Sequence, residues 1–138
     1  MDQPYLPDIA LTARDLSRLD LLTGRVSVYR SPAMAMLARE LRRAKVVPLS
    51  DLPPDTVTMG SVVRYREDDT GKIITATLVY PGEDGYEGRI SVLTPEGGAL
   101  LGLSVGQSIP YVSRDDRATS LTVLRVLFQP EVQGLKRP

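Results

Sequence analysis

The chain contains no cysteine and no histidine. The first absence excludes disulfides, zinc ribbons and thiol catalysis, and it is compatible with a reducing compartment. The second removes the commonest general base and the commonest transition-metal ligand, so a hydrolase triad or a zinc site would lack its usual parts. Tryptophan is also absent, phenylalanine occurs once, at Phe128, and the six tyrosines are dispersed. That leaves little with which to line an aromatic pocket. Long apolar runs are missing as well: the opening MDQPYLPDIALTARD holds acids and two prolines. The expectation is neither a signal peptide nor a membrane span, and a cytoplasmic location.

What is present is a balanced charge. Lys plus Arg and Asp plus Glu number 17 each over 138 residues, so the chain lacks the overall footprint of a dedicated nucleic-acid binder. The balance is uneven, however: residues 1–50 hold eight basic and five acidic groups, whereas residues 51–138 hold nine and twelve. A chain of this length fits one compact domain with an appendage or two very small units.

Two helices are expected first. Thr12 stands three residues before Asp15, ahead of Leu16, Leu19 and Leu22, a capping pattern followed by helical spacing, and Gly24 ends the run. Ser31 and Pro32 suit an N-cap and a first helical position, with Met34, Leu37, Ala38, Leu41 and Ala44 on one face and Pro48 as the stop. Together they predict a short helical hairpin over 1–48, neither arm stable alone. Three prolines and two aspartates in PLSDLPPDTVT then read as a stiff connector over 49–58.

From Met59 the period changes to that of strands. SVVRYR, KIITATLVY, GRISVL, SIPYVS and TSLTVLRVLFQ are β-rich runs bounded by turn residues. Between the third and fourth lies TPEGGALLGL, in which Thr94 caps, Pro95 opens a helix of about two turns and Gly102 suits the left-handed position after it. An α+β fold follows: a helical hairpin, then an antiparallel sheet over 59–138 curled around a short helix, with Gly97 and Gly98 permitting close approach and Leu100, Leu101 and Leu103 filling the concave face.

Candidates for chemistry are few. Gly97 and Gly102 have the spacing of a phosphate loop, but Leu103 stands where its lysine must be, and no dinucleotide fingerprint occurs. Glu67, Asp68 and Asp69, like Asp115 and Asp116, fall in turns and read as solvated; Glu83, Asp84 and Glu87 lack a calcium-loop spacing. No metal site or cofactor is expected. Arg39, Arg42, Arg43 and Lys45 form a basic run on the second helix, either a solvated face complementing the helix dipole or a contact for phosphates or an acidic protein surface. Arg25, Tyr29 and Arg30 sit at the hairpin apex, where they form either an ordinary turn or interface anchors.

Several segments taken together, DLSRLDLL, ELRRAKVVP, PPDTVTMGSVVRYR, LVYP, RISVLTPEGGALLGLSVGQSI and FQPE, resemble the bacterial regulator of nucleoside diphosphate kinase (Rnk) family, relatives of the Gre transcript-cleavage factors. The resemblance spans nearly the whole chain. It implies an FKBP-like fold for residues 59–138 and association with RNA polymerase near its secondary channel. Thr94 and Pro95 occupy the place of the Gre docking dipeptide, with Leu93 where Gre factors often carry a polar residue, so Leu93, Thr94 and Pro95 are the implied contact. Gre factors place acidic residues at the tip of a long coiled coil to help hold a catalytic magnesium ion. GRVSVYRS, residues 24–31, contains no carboxylate, and arms of this length reach only about 15 to 20 Å at ~1.5 Å per residue.

The resemblance therefore implies a non-enzymatic regulator that competes for the channel without supplying metal ligands. Two alternatives stand beside it. One is a peptidyl-prolyl isomerase, suggested by the implied fold alone. The other is a regulator that contacts nucleoside diphosphate kinase directly through the basic helix. No sequence-specific nucleic-acid contact and no membrane contact is expected, and a monomer is favoured.

Overall fold

The computed structural model describes residues 6–25 and 32–130; the side chains of residues 23–25, 32 and 34 fall outside that description. The elements run β1 (Ala10–Leu11), α1 (Ala13–Arg25), α2 (Pro32–Arg43), β2 (Lys45–Val46), a 3-10 turn (Leu49–Asp51), β3 (Val62–Glu67), β4 (Ile73–Val79), β5 (Arg89–Ser91), α3 (Pro95–Leu100), β6 (Ser108–Val112) and β7 (Ala118–Phe128). The fold is mixed α+β. A five-stranded sheet has the order β5-β4-β3-β7-β6, and β1 and β2 pair separately.

The first helix begins as its capping pattern requires: the Asp15 amide donates to Thr12 Oγ1 at 3.2 Å, and the Leu16 amide reaches the Thr12 carbonyl at 3.0 Å. Leu19 on α1 and Leu37 and Leu41 on α2 are buried at helical spacing. Pro48 is not the stop for α2. The helix ends at Arg43, and Lys45–Val46 pairs in parallel with Ala10–Leu11, the Lys45 amide donating to the Ile9 carbonyl at 2.9 Å. A two-residue pairing carries no periodicity, so tertiary contact alone creates it.

The sheet departs from the expected antiparallel form at one edge. β3–β4, β3–β7 and β6–β7 are antiparallel, but β5 runs parallel to β4, with Thr77 opposite Arg89 and Val79 opposite Ser91. The cause is the loop after Tyr80, which carries the chain back alongside β4 before β5 begins. Its return is fixed where the Thr77 amide donates to the Gly88 carbonyl at 2.8 Å. β7 slips register against β3 between Val62 and Val63 and between Arg64 and Tyr65. Such bulges increase local twist and help the sheet curl.

One hydrophobic cluster joins the elements. Val63, Tyr65, Leu78, Ile109, Leu121 and Val123 come from the sheet, Leu100, Leu101 and Leu103 from α3 and the residues after it, and Leu19, Leu37 and Leu41 from the first two helices. The proline segment before β3 is fastened to this body. The Val57 amide donates to the Leu103 carbonyl at 2.7 Å and the Gly102 amide to the Val57 carbonyl at 2.9 Å. Buried Gln129, at the end of β7, donates Nε2 to the carbonyls of Pro53 at 2.8 Å and Thr56 at 2.7 Å.

The β3–β4 turn also corrects an expectation. Asp68 is not simply solvated: it accepts from Ser120 Oγ at 2.7 Å, from Thr122 Oγ1 at 2.9 Å and from Arg66 Nε at 3.1 Å. Burial alone would raise its carboxyl, but these hydrogen bonds and the Arg66 charge outweigh it and hold the group below its ordinary value.

Candidate protein-docking surface

The Thr94–Pro95 corner is built by its own backbone demands. Thr94 is extended at φ −82° and ψ 159°, its Oγ1 accepts from the Gly97 amide at 3.0 Å, and its hydroxyl proton goes to the Ser91 carbonyl at 2.7 Å. The Thr94 amide donates to that same carbonyl at 3.0 Å, and the Leu93 amide donates to Ser91 Oγ at 3.1 Å. Pro95 fills the first helical position, where no amide proton is needed. Thr94 thus has its hydroxyl committed in both directions to the fold. Leu93, Thr94 and Pro95 remain partly exposed on a corner that cannot easily move.

Two glycines set how tightly that corner is held. A Cβ on Gly97 would stand 2.0 Å from the Ser91 carbonyl oxygen, so only hydrogen fits. Gly102 ends the helix at φ 81°, and a Cβ there would lie 2.8 Å from Ile9 Cβ. Gly98 is less constrained: its nearest neighbours would be the Val92 carbonyl oxygen at 3.4 Å and Leu37 Cβ at 3.8 Å. The short helix is therefore clamped between the turn after β5 and helix α2.

Tyr65 and Tyr111 are both buried, and the charge of Glu96 on the first turn of the short helix acts on each. Burial and then the Glu96 charge push the Tyr111 phenol up to about 12, and the same two causes raise Tyr65 further. Both are neutral hydrophobic members of the core at physiological pH. Among the described residues no group of three or more Asp or Glu side chains is arranged to hold a metal ion.

The basic run on α2 divides. Glu40 is fully buried, and Arg43 reaches it with Nε at 2.8 Å while donating Nη1 to the Pro7 carbonyl at 2.6 Å. Arg39 approaches the other Glu40 oxygen at 3.2 Å but leaves half its side chain in solvent. Arg43 is therefore a structural tie between α2 and the N-terminal segment, and Arg42 and Lys45 are the exposed remainder. Sequence spacing gave no sign of the Glu40 tie, because a carboxylate three residues before an arginine is ordinary on a solvated helix. Tyr29 and Arg30, and the Arg25 side chain, lie outside the described residues.

A cavity of about 490 Å³ opens between α1 and the end of β4, with Arg14, Asp15, Arg18, Met59, Tyr80 and Pro130 in its wall. Burial, with Asp15 adding, raises the Tyr80 phenol, while Arg18 works the other way. The wall includes none of Leu93, Thr94 and Pro95. Among the described residues no helix is long and apolar enough to cross a membrane.

Residues 52–128, more than half of the chain, match the family described as "Transcription elongation factor, GreA/GreB, C-term", and the chain belongs to that family. Within it, the "Regulator of nucleoside diphosphate kinase" of Escherichia coli strain K12 is similar over nearly its full length, 37% identical over 129 residues, 93% of this chain and 95% of that protein. A solved "Prokaryotic transcription elongation factor GreA/GreB from Nitrosomonas europaea" superposes with TM-score 0.69 at 35% identity, covering 89% of this chain and 100% of the other. The "Transcription elongation factor GreA" of Nitrobacter hamburgensis is 35% identical over 81 residues, 58% of this chain and 51% of that protein. The similarity to that elongation factor thus covers only about half of its length. These relatives are named as a regulator and as elongation factors.

Proposed function

We propose that this chain is a non-enzymatic transcription regulator that docks on RNA polymerase near the secondary channel and competes there with Gre factors. In this reading residues 59–138 form the docking domain, FKBP-like in architecture. Residues 1–48 form a helical hairpin that presents Arg25, Tyr29 and Arg30 at its apex, and 49–58 join the two. Leu93, Thr94 and Pro95 make the principal contact. The observation that carries the reading is the match to the GreA/GreB C-terminal family across residues 52–128, together with a Thr94–Pro95 corner whose backbone is pinned from both sides. A rigid corner loses little conformational entropy on binding, which favours its use as an anchor.

The absence of a carboxylate in GRVSVYRS supports the second half of the proposal. A magnesium ion requires oxygen ligands, and the apex supplies no acidic one. Competition without cleavage follows. The test is a pull-down on core RNA polymerase with purified chain, repeated with a Gre factor as competitor and with Pro95→Ala. Retention, displacement by the competitor and weakened retention of the variant are expected; no retention at micromolar concentrations rejects the proposal.

A further inference from the structure

The outer face of the sheet carries an arrangement that folding does not explain. Arg64 on β3 stands directly opposite Arg125 on β7 in the strand register. Like charges opposed across an antiparallel pair are destabilising, since their side chains leave the sheet only about 5 Å apart. Arg64 Nε donates to Thr75 Oγ1 at 3.2 Å. Among the described residues neither Arg64 nor Arg125 has a carboxylate within ion-pairing distance. Arg66, one step along the same face, is neutralised by Asp68 at 3.1 Å. The unneutralised charge is thus concentrated on one cross-strand pair.

From this geometry we propose that the Arg64–Arg125 pair is a docking site for a short acidic protein segment. Two adjacent guanidinium forks match carboxylate groups in bidentate geometry, and a partner's acids would remove the repulsion between them. An extended nucleic-acid strand has the same charge but fits less well. Glu83, Asp84 and Glu87 follow β4, and Asp69, Asp115 and Asp116 crowd the turns at the other end of β3 and β7. A polyanion longer than the patch is brought within a screening length, roughly 8 Å, of those acids, whereas a short acidic segment can end before them. The face also offers little stacking surface: one side of the exposed Tyr86 ring is taken by the Arg89 guanidinium at 4.6 Å, and Phe128 sits at the margin, 37% exposed. The site is distinct from the Thr94–Pro95 corner and does not depend on polymerase docking through it.

The test is a nitrogen-15 NMR titration of the full chain with a hexaglutamate peptide at low salt, alongside a hexauridylate RNA. Expected are shifts concentrated on Arg64, Arg125 and their neighbours, weaker binding of the RNA, and a loss of about fivefold or more in peptide affinity for Arg64→Gln/Arg125→Gln. That variant should melt no lower than the parent, since it relieves repulsion. If it does not fold, the exposed single variant Arg125→Gln serves, with the same direction expected. Shifts confined to Arg42 and Lys45, no shifts at all, unchanged affinity in the variant, or tighter binding of the RNA would each overturn the proposal. Pro95→Ala should leave the peptide titration unchanged, so failure of polymerase docking and failure of this site are separable.

Discussion

Gly97 lies so close to Ser91 that a single added carbon would stand 2.0 Å from its carbonyl oxygen. That oxygen is itself the anchor of the Thr94–Pro95 corner, accepting both the amide and the hydroxyl of Thr94. Gly97→Ala must therefore displace backbone, not a flexible side-chain end. A loss of at least about 3 kcal/mol is expected, at the upper end of overpacking costs. Gly98→Ala, one residue on, meets only ordinary contacts and gains helix propensity, so it should fall within about 1 kcal/mol of the parent. Paired denaturant titrations with unchanged m-values measure both. Equal effects would mean that the Ser91 contact is not the constraint.

Gln129 ties the end of β7 to a segment 73 and 76 residues earlier. Gln129→Ala leaves the buried Thr56 carbonyl without that donor, at a cost of about 1 to 3 kcal/mol. Local opening should concentrate at the proline segment. Hydrogen exchange is expected to quicken at the Val57 amide, which binds the Leu103 carbonyl at 2.7 Å, more than at β3 or β4. Uniform quickening would place the effect on global stability instead.

Asp68 gives an acid-side signature. Its folded value lies below the ordinary carboxylate range because hydrogen bonds from Ser120, Thr122 and Arg66 outweigh burial. The stability it contributes is present above the unfolded value near 3.9 and is lost as pH falls through the lower folded value. Asp68→Asn should lower stability at neutral pH by about 1 to 2 kcal/mol and flatten the stability curve below about pH 4. Parallel curves for parent and variant would contradict this.

Tyr111 gives the alkaline counterpart. Burial, then Glu96, Glu67 and Asp69, raise its phenol to about 12. The sign is opposite to that of Asp68: the contribution is complete below the unfolded value near 10 and is lost as pH rises toward 12. Phenolate absorbance should show Tyr111 titrating above the ordinary tyrosine value near 10. Tyr111→Phe should remove part of the stability loss between pH 10 and 12 while leaving the acid side unchanged.

Local chemistry was legible where a residue's role lies in its own backbone. Thr94 as cap, Pro95 at the first helical position and Gly102 at positive φ are each found as their residue types predict. What escaped the sequence is non-local. The β1–β2 pairing replaces the tail of α2, the loop after Tyr80 reverses the sense of β5, and Asp68 finds Ser120 and Thr122 across 52 and 54 residues. The motifs that carry the family resemblance turn out to do much of the scaffolding: Gly97 clears Ser91, and Gln129 fastens the connector. Arg64 and Arg125 look unremarkable in sequence, because their opposition depends on a register altered by bulges in β7.

A transcript-cleavage assay on a backtracked elongation complex distinguishes docking without cleavage from every other role for this chain. With this chain alone, docking without acidic metal ligands predicts no stimulated cleavage; with a fixed amount of Gre factor, increasing chain should suppress cleavage progressively, and Pro95→Ala should suppress it less. Cleavage stimulated by the chain itself, or Gre-dependent cleavage untouched by a large excess of it, would contradict the proposed role.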